Sequence, residues 1–198
     1  MTTPDVASVT SPLLAEPAAL QRLDSPIGRI EVVGDGSAIV ALSIERDGSL
    51  PHDESEERPD AVTRLAVAQL EEYFAGARHD FDVPVSLHGT AFQLAVWERL
   101  VELQWGEVIS YGELGQTTGR PTAGRAVGGA VGANPVPIIV PCHRVLGANG
   151  VITGYSGGEG VPTKSWLLEH EGIPHKVPTA LRPDAAPMLD IPGAETAA

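Results

Sequence analysis

Cysteine is almost missing from this 198-residue chain, in which Cys142 is the only one. A single thiol excludes an intramolecular disulfide, and it survives best in a reducing compartment, so a cytoplasmic home is expected. Bases are scarce too, 13 Lys and Arg against 26 Asp and Glu, for a formal net charge of -13. Such a balance argues against nucleic-acid binding driven by bulk charge, because that binding rests on Lys and Arg displacing counterions from phosphates. Long apolar runs are absent: no stretch is long enough to span a bilayer, and Met1-Thr2-Thr3-Pro4-Asp5 lacks the basic and apolar regions of a secretory signal. No membrane partner is therefore expected. The length suffices to bury a core without a metal or a disulfide as staple, and no cofactor is called for.

The acidity is unevenly spread. Residues 1–90 hold 16 acids against 6 bases, whereas residues 91–172 hold 7 against 5. Between residues 108 and 158 the only acid is Glu113, opposed by Arg120, Arg125 and Arg144, so the second half can present a locally positive face.

Pattern along the chain predicts two structured halves between loose tails at 1–19 and 173–198, the latter rich in proline. Arg29 to Val32 alternates and Ala38 to Ile44 is β-rich, with Gly34-Asp35-Gly36 between them as a hairpin signal. Residues 48–60 read as an exposed acidic loop. Asp60 can cap a helix carrying Val62, Leu65, Ala66, Leu70, Tyr73 and Phe74 at helical spacing until Gly76 stops it. A linker near 76–89 separates this scaffold from a second helix, opened by a Thr90/Gln93 capping box and burying Phe92, Ala95, Val96 and Leu100. Ser110 and Glu113 form another box, and Thr122 can cap a helix from Ala123 to about Gly132. These two short helices with a glycine turn are a helix-turn-helix candidate. The second one contains three interior glycines, each costing about 1 kcal/mol relative to alanine. Either they allow close packing against another element, or they press the backbone against a narrow surface such as the minor groove, with Arg125 as the one long polar side chain.

The chemistry gathers at Pro141-Cys142-His143-Arg144-Val145, behind the stiff arm of Asn134, Pro135, Pro137 and Pro141. A lone cysteine is most often a small buried hydrophobe. A proline-fixed backbone with His143 and Arg144 adjacent favours a nucleophile instead. A free thiol is only a few per cent thiolate at neutral pH, so it needs a base or a cation. His143 could serve as that base if a carboxylate orients its ring, and the helix from Thr163 to Glu171 offers Glu169 or Glu171. His170 reads as a satisfied structural histidine.

Three stretches, Arg125-Ala126-Val127-Gly128-Gly129-Ala130, Asn134 through Val145, and Gly154-Tyr155-Ser156-Gly157-Gly158, closely resemble the O6-alkylguanine-DNA alkyltransferases. Weaker likeness runs upstream through Gly89 to Gln93, Glu71 to Gly76 and Asp24 to Gly28, so that the match spans roughly residues 22–172. The resemblance implies an α+β fold. A small ribonuclease-H-like sheet-plus-helix domain over residues 20–84 would precede a mainly helical, winged-helix-like domain with a helix-turn-helix over 85–172. It implies direct repair by a monomer without cofactor or zinc: one alkyl group moves irreversibly from guanine O6, or thymine O4, in duplex DNA to Cys142. The alternatives are a damage-recognition module without transfer and a cysteine hydrolase. Carried over residue by residue, His143 would act through a water and Glu171 would complete the relay, while Asn134 shapes the turn. Tyr111 would donate to the base and contact a phosphate. Thr122, Arg125, Ala126 and Gly128 would meet the minor groove, with Arg125 filling the place of the rotated guanine. Pro137, Val145, Tyr155 and Ser156 would line the guanine pocket. Leu103-Gln104-Trp105 and an added Glu159-Gly160 depart from the family pattern, the latter beside the pocket.

Overall fold

The computed structural model describes residues 16–119 and 124–181. Its first half is an antiparallel sheet of β1 (Ala19–Leu23), β2 (Ile30–Gly34) and β3 (Ile39–Ile44), in that order. The hairpin stands at the place its turn residues indicate. Strand β1 was not foreseen: its short run has no clean alternation, and only pairing from Ala19↔Gly34 to Leu23↔Ile30 makes it a strand.

One face of the sheet carries α1 (Ala61–Phe74), whose reciprocal cap joins Asp60 and Thr63 at 2.8 and 2.9 Å. Ala66, Val67, Leu70 and Tyr73 are buried, but Leu65, expected inward, stays exposed because Val67 takes the adjoining inward position. Glu31 is buried as well. Strand periodicity points it away from Ile30 and Val32, and there the expected exposed loop folds over it, so that His52 Nδ1 meets its carboxylate at 2.6 Å. The segment after Gly76 is not a free linker. Ile39 N–H donates to Pro84 O at 2.8 Å and Ser86 N–H to Ile39 O at 2.9 Å, which covers the open edge of β3.

The second half holds α2 (Ala91–Val101), β4 (Ile109–Ser110), α3 (Tyr111–Thr117), α4 (Gly124–Gly132), β5 (Val145–Leu146) and α5 (Val161–His170). Strands β4 and β5 pair in parallel. The capping boxes at Thr90 and Ser110 both form. Helices α3 and α4 pack on each other and on α2, where buried Trp97 donates from Nε1 to Ala130 O at 2.8 Å. A single apolar core runs from β2 and α1 through α2 and α4 to Leu167, so the two halves share one interior.

The loose tail expected from residue 173 starts later. Ile173 is buried with Leu146, Ile152 and Leu168, and Lys176 exchanges backbone hydrogen bonds with Ile152 and Gly150, both 2.9 Å. An apolar side chain beside an open backbone edge outweighs the local proline content. The tail expectations for 1–15 and 182–198, and those for Arg120 and Thr122, lie outside the described residues.

Replacing Trp97 by Phe leaves Ala130 O without its donor and opens space between α2 and α4. The expected cost is about 2 kcal/mol of unfolding free energy, measured by urea titration. A loss below about 0.5 kcal/mol would show that Trp97 does not join these helices.

Candidate active site and nucleic-acid interface

After α4 the chain reverses through residues 134–141, and local chemistry dictates how. The Asn134 carboxamide spans the turn, accepting from Val136 N–H at 3.0 Å and donating from Nδ2 to Val140 O at 2.8 Å. Val140 N–H closes onto Val136 O at 2.9 Å, which holds Ile138 at φ +74°, a left-handed conformation costing a β-branched residue about 1–2 kcal/mol. Leu42 N–H donates to Pro135 O at 2.8 Å and ties the arm to β3. Cys142–Arg144 then form one 3-10 turn that feeds β5, and all three side chains are buried.

The carboxylate behind the histidine is Glu171, at the C-cap of α5; Glu169 is exposed. Glu171 accepts from His143 Nε2 at 2.8 Å, from Arg144 Nε and Nη2 at 2.7 and 2.9 Å, and from the Tyr73 hydroxyl at 2.9 Å. Burial alone would raise its pKa, but the His143 and Arg144 donors outweigh that and hold it down at about 2. Since an ionised carboxylate only accepts, His143 must carry its proton on Nε2 and keep a lone pair on Nδ1. Nδ1 is buried and has no protein partner. Burial also lowers the pKa of His143, so the ring is neutral. Arg144, expected on a positive surface, is instead buried between Glu171 and Leu103 O (2.7 Å), because its planar fork matches the carboxylate. His170 donates from Nε2 to Tyr73 O at 2.7 Å and stacks on Trp166, a structural arrangement.

Cys142 lies on the wall of a cavity of about 480 Å³ together with Tyr111, Gly128, Tyr155 and Ser156. Burial raises the thiol pKa, opposed by the Asn134 carboxamide, the charge of Lys164 and the Tyr155 phenol. Lys164 is buried, donates from Nζ to Val145 O at 2.5 Å, and has its pKa lowered by burial to about 8. Burial also raises the pKa of Tyr111, whose hydroxyl pairs with Thr153, so the phenol stays protonated. Two expected pocket residues sit elsewhere. Val145 is a fully buried core residue whose carbonyl, not its side chain, serves the site by holding Lys164. Pro137 lines a second cavity of about 480 Å³ that reaches Cys142 from the side of β3.

The glycines of α4 resolve the alternative left open by sequence. A Cβ at Gly124, Gly128 or Gly129 would meet nothing within 4 Å among the described residues, so packing against those residues does not require them. Val127, Ala130 and Val131 face the core, while Arg125 and Ala126 are exposed on the outer face. The helix offers a nearly bare backbone at the rim of the Cys142 cavity.

Sequence reasoning missed Lys164 and Tyr73. Lys164 is one of only two lysines in the chain, a clue that carries no position without the fold. Tyr73 reads as one more apolar face residue of α1.

Fold and site define an α+β protein of a small antiparallel sheet half and a mainly helical half, which keeps a buried cysteine, followed by a histidine bonded to a glutamate, at the wall of a cavity rimmed by α4. Residues 91–173 match the family described as 6-O-methylguanine DNA methyltransferase, DNA binding domain, and residues 21–87 match its ribonuclease-like domain. The chain belongs to this 6-O-methylguanine DNA methyltransferase family. It is 42% identical over 156 residues to a methylated-DNA--protein-cysteine methyltransferase of Haemophilus influenzae, covering 76% of this chain and 84% of that one. A Mycobacterium tuberculosis protein of the same name is 45% identical over 149 residues, covering 75% and 89%. The crystal structure of Mycobacterium tuberculosis OGT in complex with DNA superposes with a TM-score of 0.69 at 44% identity, over 78% of this chain and 93% of that one.

Replacing Glu171 by Gln removes the charge that compensates buried Arg144. The expected loss at pH 7 is about 3 kcal/mol. A carboxylate with a depressed pKa stabilises the fold above its unfolded value, so the gap between wild type and variant should be full above pH 4.5 and close as pH falls toward 2. Urea titrations across this range measure it; a constant gap would contradict an ionised Glu171.

Proposed function

We propose that this protein is a methylated-DNA--protein-cysteine methyltransferase that moves one alkyl group from guanine O6 in duplex DNA to Cys142 and is consumed in doing so. The observation that carries the reading is the Cys142 thiol on a cavity wall beside a neutral His143 whose Nε2–H is held by ionised Glu171. Its relatives of the same name and the DNA-bound neighbour support the substrate.

The lesion inside a base stack is out of reach of a buried sulfur, so the nucleotide must rotate out at a cost of a few kcal/mol. Arg125, which is exposed, would fill the gap, and the bare backbone of α4 suits a minor groove. His143 Nδ1 takes the thiol proton through a water, and Lys164 stabilises the thiolate. Sulfur attacks the saturated carbon, the carbon–O6 bond breaks with its electron pair passing to the guanine, and the Tyr111 phenol supplies the proton that makes guanine a good leaving group. The imidazolium returns a proton to the phenol through solvent. The product is a thioether, which water does not cleave under mild conditions, so turnover stops at one. A reducing cytoplasm is the compartment this chemistry requires.

Intact mass after incubation with an O6-methylguanine duplex should rise by one methylene unit, mapped to Cys142, and Cys142→Ala should bind the duplex without that gain. Binding with no gain in the wild type would leave only damage recognition, and repeated turnover would point to a hydrolase. Salt dependence gives an independent check. Of the five bases in residues 91–172, Arg144 and Lys164 are buried and Arg99 pairs with Glu102, leaving Arg120 and Arg125 for phosphates. The plot of log affinity against log salt should be no steeper than about -3. A steeper slope would place the DNA on another face.

A further inference from the structure

The added Glu159-Gly160 in the pocket loop has a partner in the other half of the molecule. Strand β3 ends at Ile44 and leads, after Glu45, into Arg46-Asp47-Gly48-Ser49, where Asp47 and Gly48 take φ +51° and +75°. Both central residues with positive φ make a two-residue turn, closed by Arg46 N–H to Ser49 O at 3.1 Å and Ser49 N–H to Arg46 O at 2.9 Å. This tip grips the loop that follows Tyr155. Arg46 donates from Nε to Gly158 O at 2.7 Å and from Nη2 to Ser156 O at 3.0 Å, and Asp47 N–H donates to Glu159 Oε1 at 2.8 Å.

The loop has its own anchors in the second half. Ser156 Oγ donates to Gly132 O at 3.0 Å, and Glu159 N–H to Thr163 Oγ1 at 3.0 Å. Gly158 is wedged where a Cβ would lie 2.6 Å from Thr163 and 2.9 Å from Ile44, so no bulk can replace the missing hold. Toward the first half, Arg46 supplies the only side-chain donors that reach the loop carbonyls among the described residues. Two carbonyls two residues apart suit a planar guanidinium fork; an ammonium could serve one of them at a time.

We propose that Arg46 is a positioning residue for alkyl transfer: through the Ser156 and Gly158 carbonyls it fixes the pocket loop, so the first half takes part in the reaction without touching the reacting atoms. This rests on the alkyl-transfer reading above. A loop free to shift by about 1 Å would misplace the lesion relative to sulfur and lose rate by up to a hundredfold. Affinity for DNA is a separate property, because the exposed face of α4 does not depend on this grip.

The test compares wild type, Arg46→Ala, Arg46→Lys and Glu159→Ala in single-turnover transfer from a saturating O6-methylguanine duplex. Affinity for undamaged duplex, thermal midpoint and hydrogen exchange of amides 156–159 are measured alongside. Arg46→Ala should slow transfer by about ten- to a hundredfold with unchanged affinity and faster exchange of the loop amides. Arg46→Lys should recover part of the rate, and Glu159→Ala should fall between Arg46→Ala and wild type. Wild-type rate in Arg46→Ala would overturn the proposal, as would slowing without faster loop exchange. If Arg46→Ala does not fold, wild-type rates in both other variants would overturn it. A wild type that gains no methyl group on Cys142 defeats the functional reading instead, and loop exchange alone then decides whether Arg46 holds the loop.

Discussion

The carboxylate of Glu171 takes four donated hydrogens inside the protein: from Tyr73 on α1, from His143, and two from Arg144. Each donor comes from a different requirement of the molecule. Tyr73 ties the second half to the first, Arg144 fixes the short helical turn that carries Cys142, and His143 has its tautomer set because its Nε2–H is held. A buried charge is costly unless paired and hydrogen-bonded, and removing any one donor would leave part of that cost uncompensated. The same group therefore joins the two halves and fixes the His143 tautomer.

Around the sulfur, opposing effects are balanced. Burial makes a thiolate of Cys142 unfavourable, while Asn134, Lys164 and Tyr155 pull the other way. Lys164 feels the same burial, which lowers its pKa to about 8 and leaves it mostly protonated at neutral pH. His143 Nδ1 is a buried basic atom without a protein partner among the described residues.

The outer surface follows a different logic. An acidic protein has few cations for phosphates, and two of those in the second half are spent internally. What α4 presents in their place is absence of side chains. Gly124, Gly128 and Gly129 have no neighbour among the described residues that excludes a Cβ, so they leave this face of α4 nearly bare.

Local elements were readable where short-range chemistry decides them. The Asp60, Thr90 and Ser110 caps, the stopping glycine at 76 and the helical faces all depend on residues within four positions of each other. The cysteine with its histidine was equally plain, being adjacent in the chain. Strand β1, the covered edge of β3, the buried start of the last segment at Ile173, the inward turn of Arg144 and the outward turn of Leu65 were not, since each is settled by partners far along the chain. So too for the choice of Glu171 over Glu169, which helical spacing left open and the donors from Tyr73, His143 and Arg144 decide. Sequence by itself determined the pairing of Cys142 with His143 and the turns that present them. Only the tertiary structure decided their ionisation, because protonation depends on burial and on charges that folding brings within hydrogen-bond reach from residues about a hundred positions away.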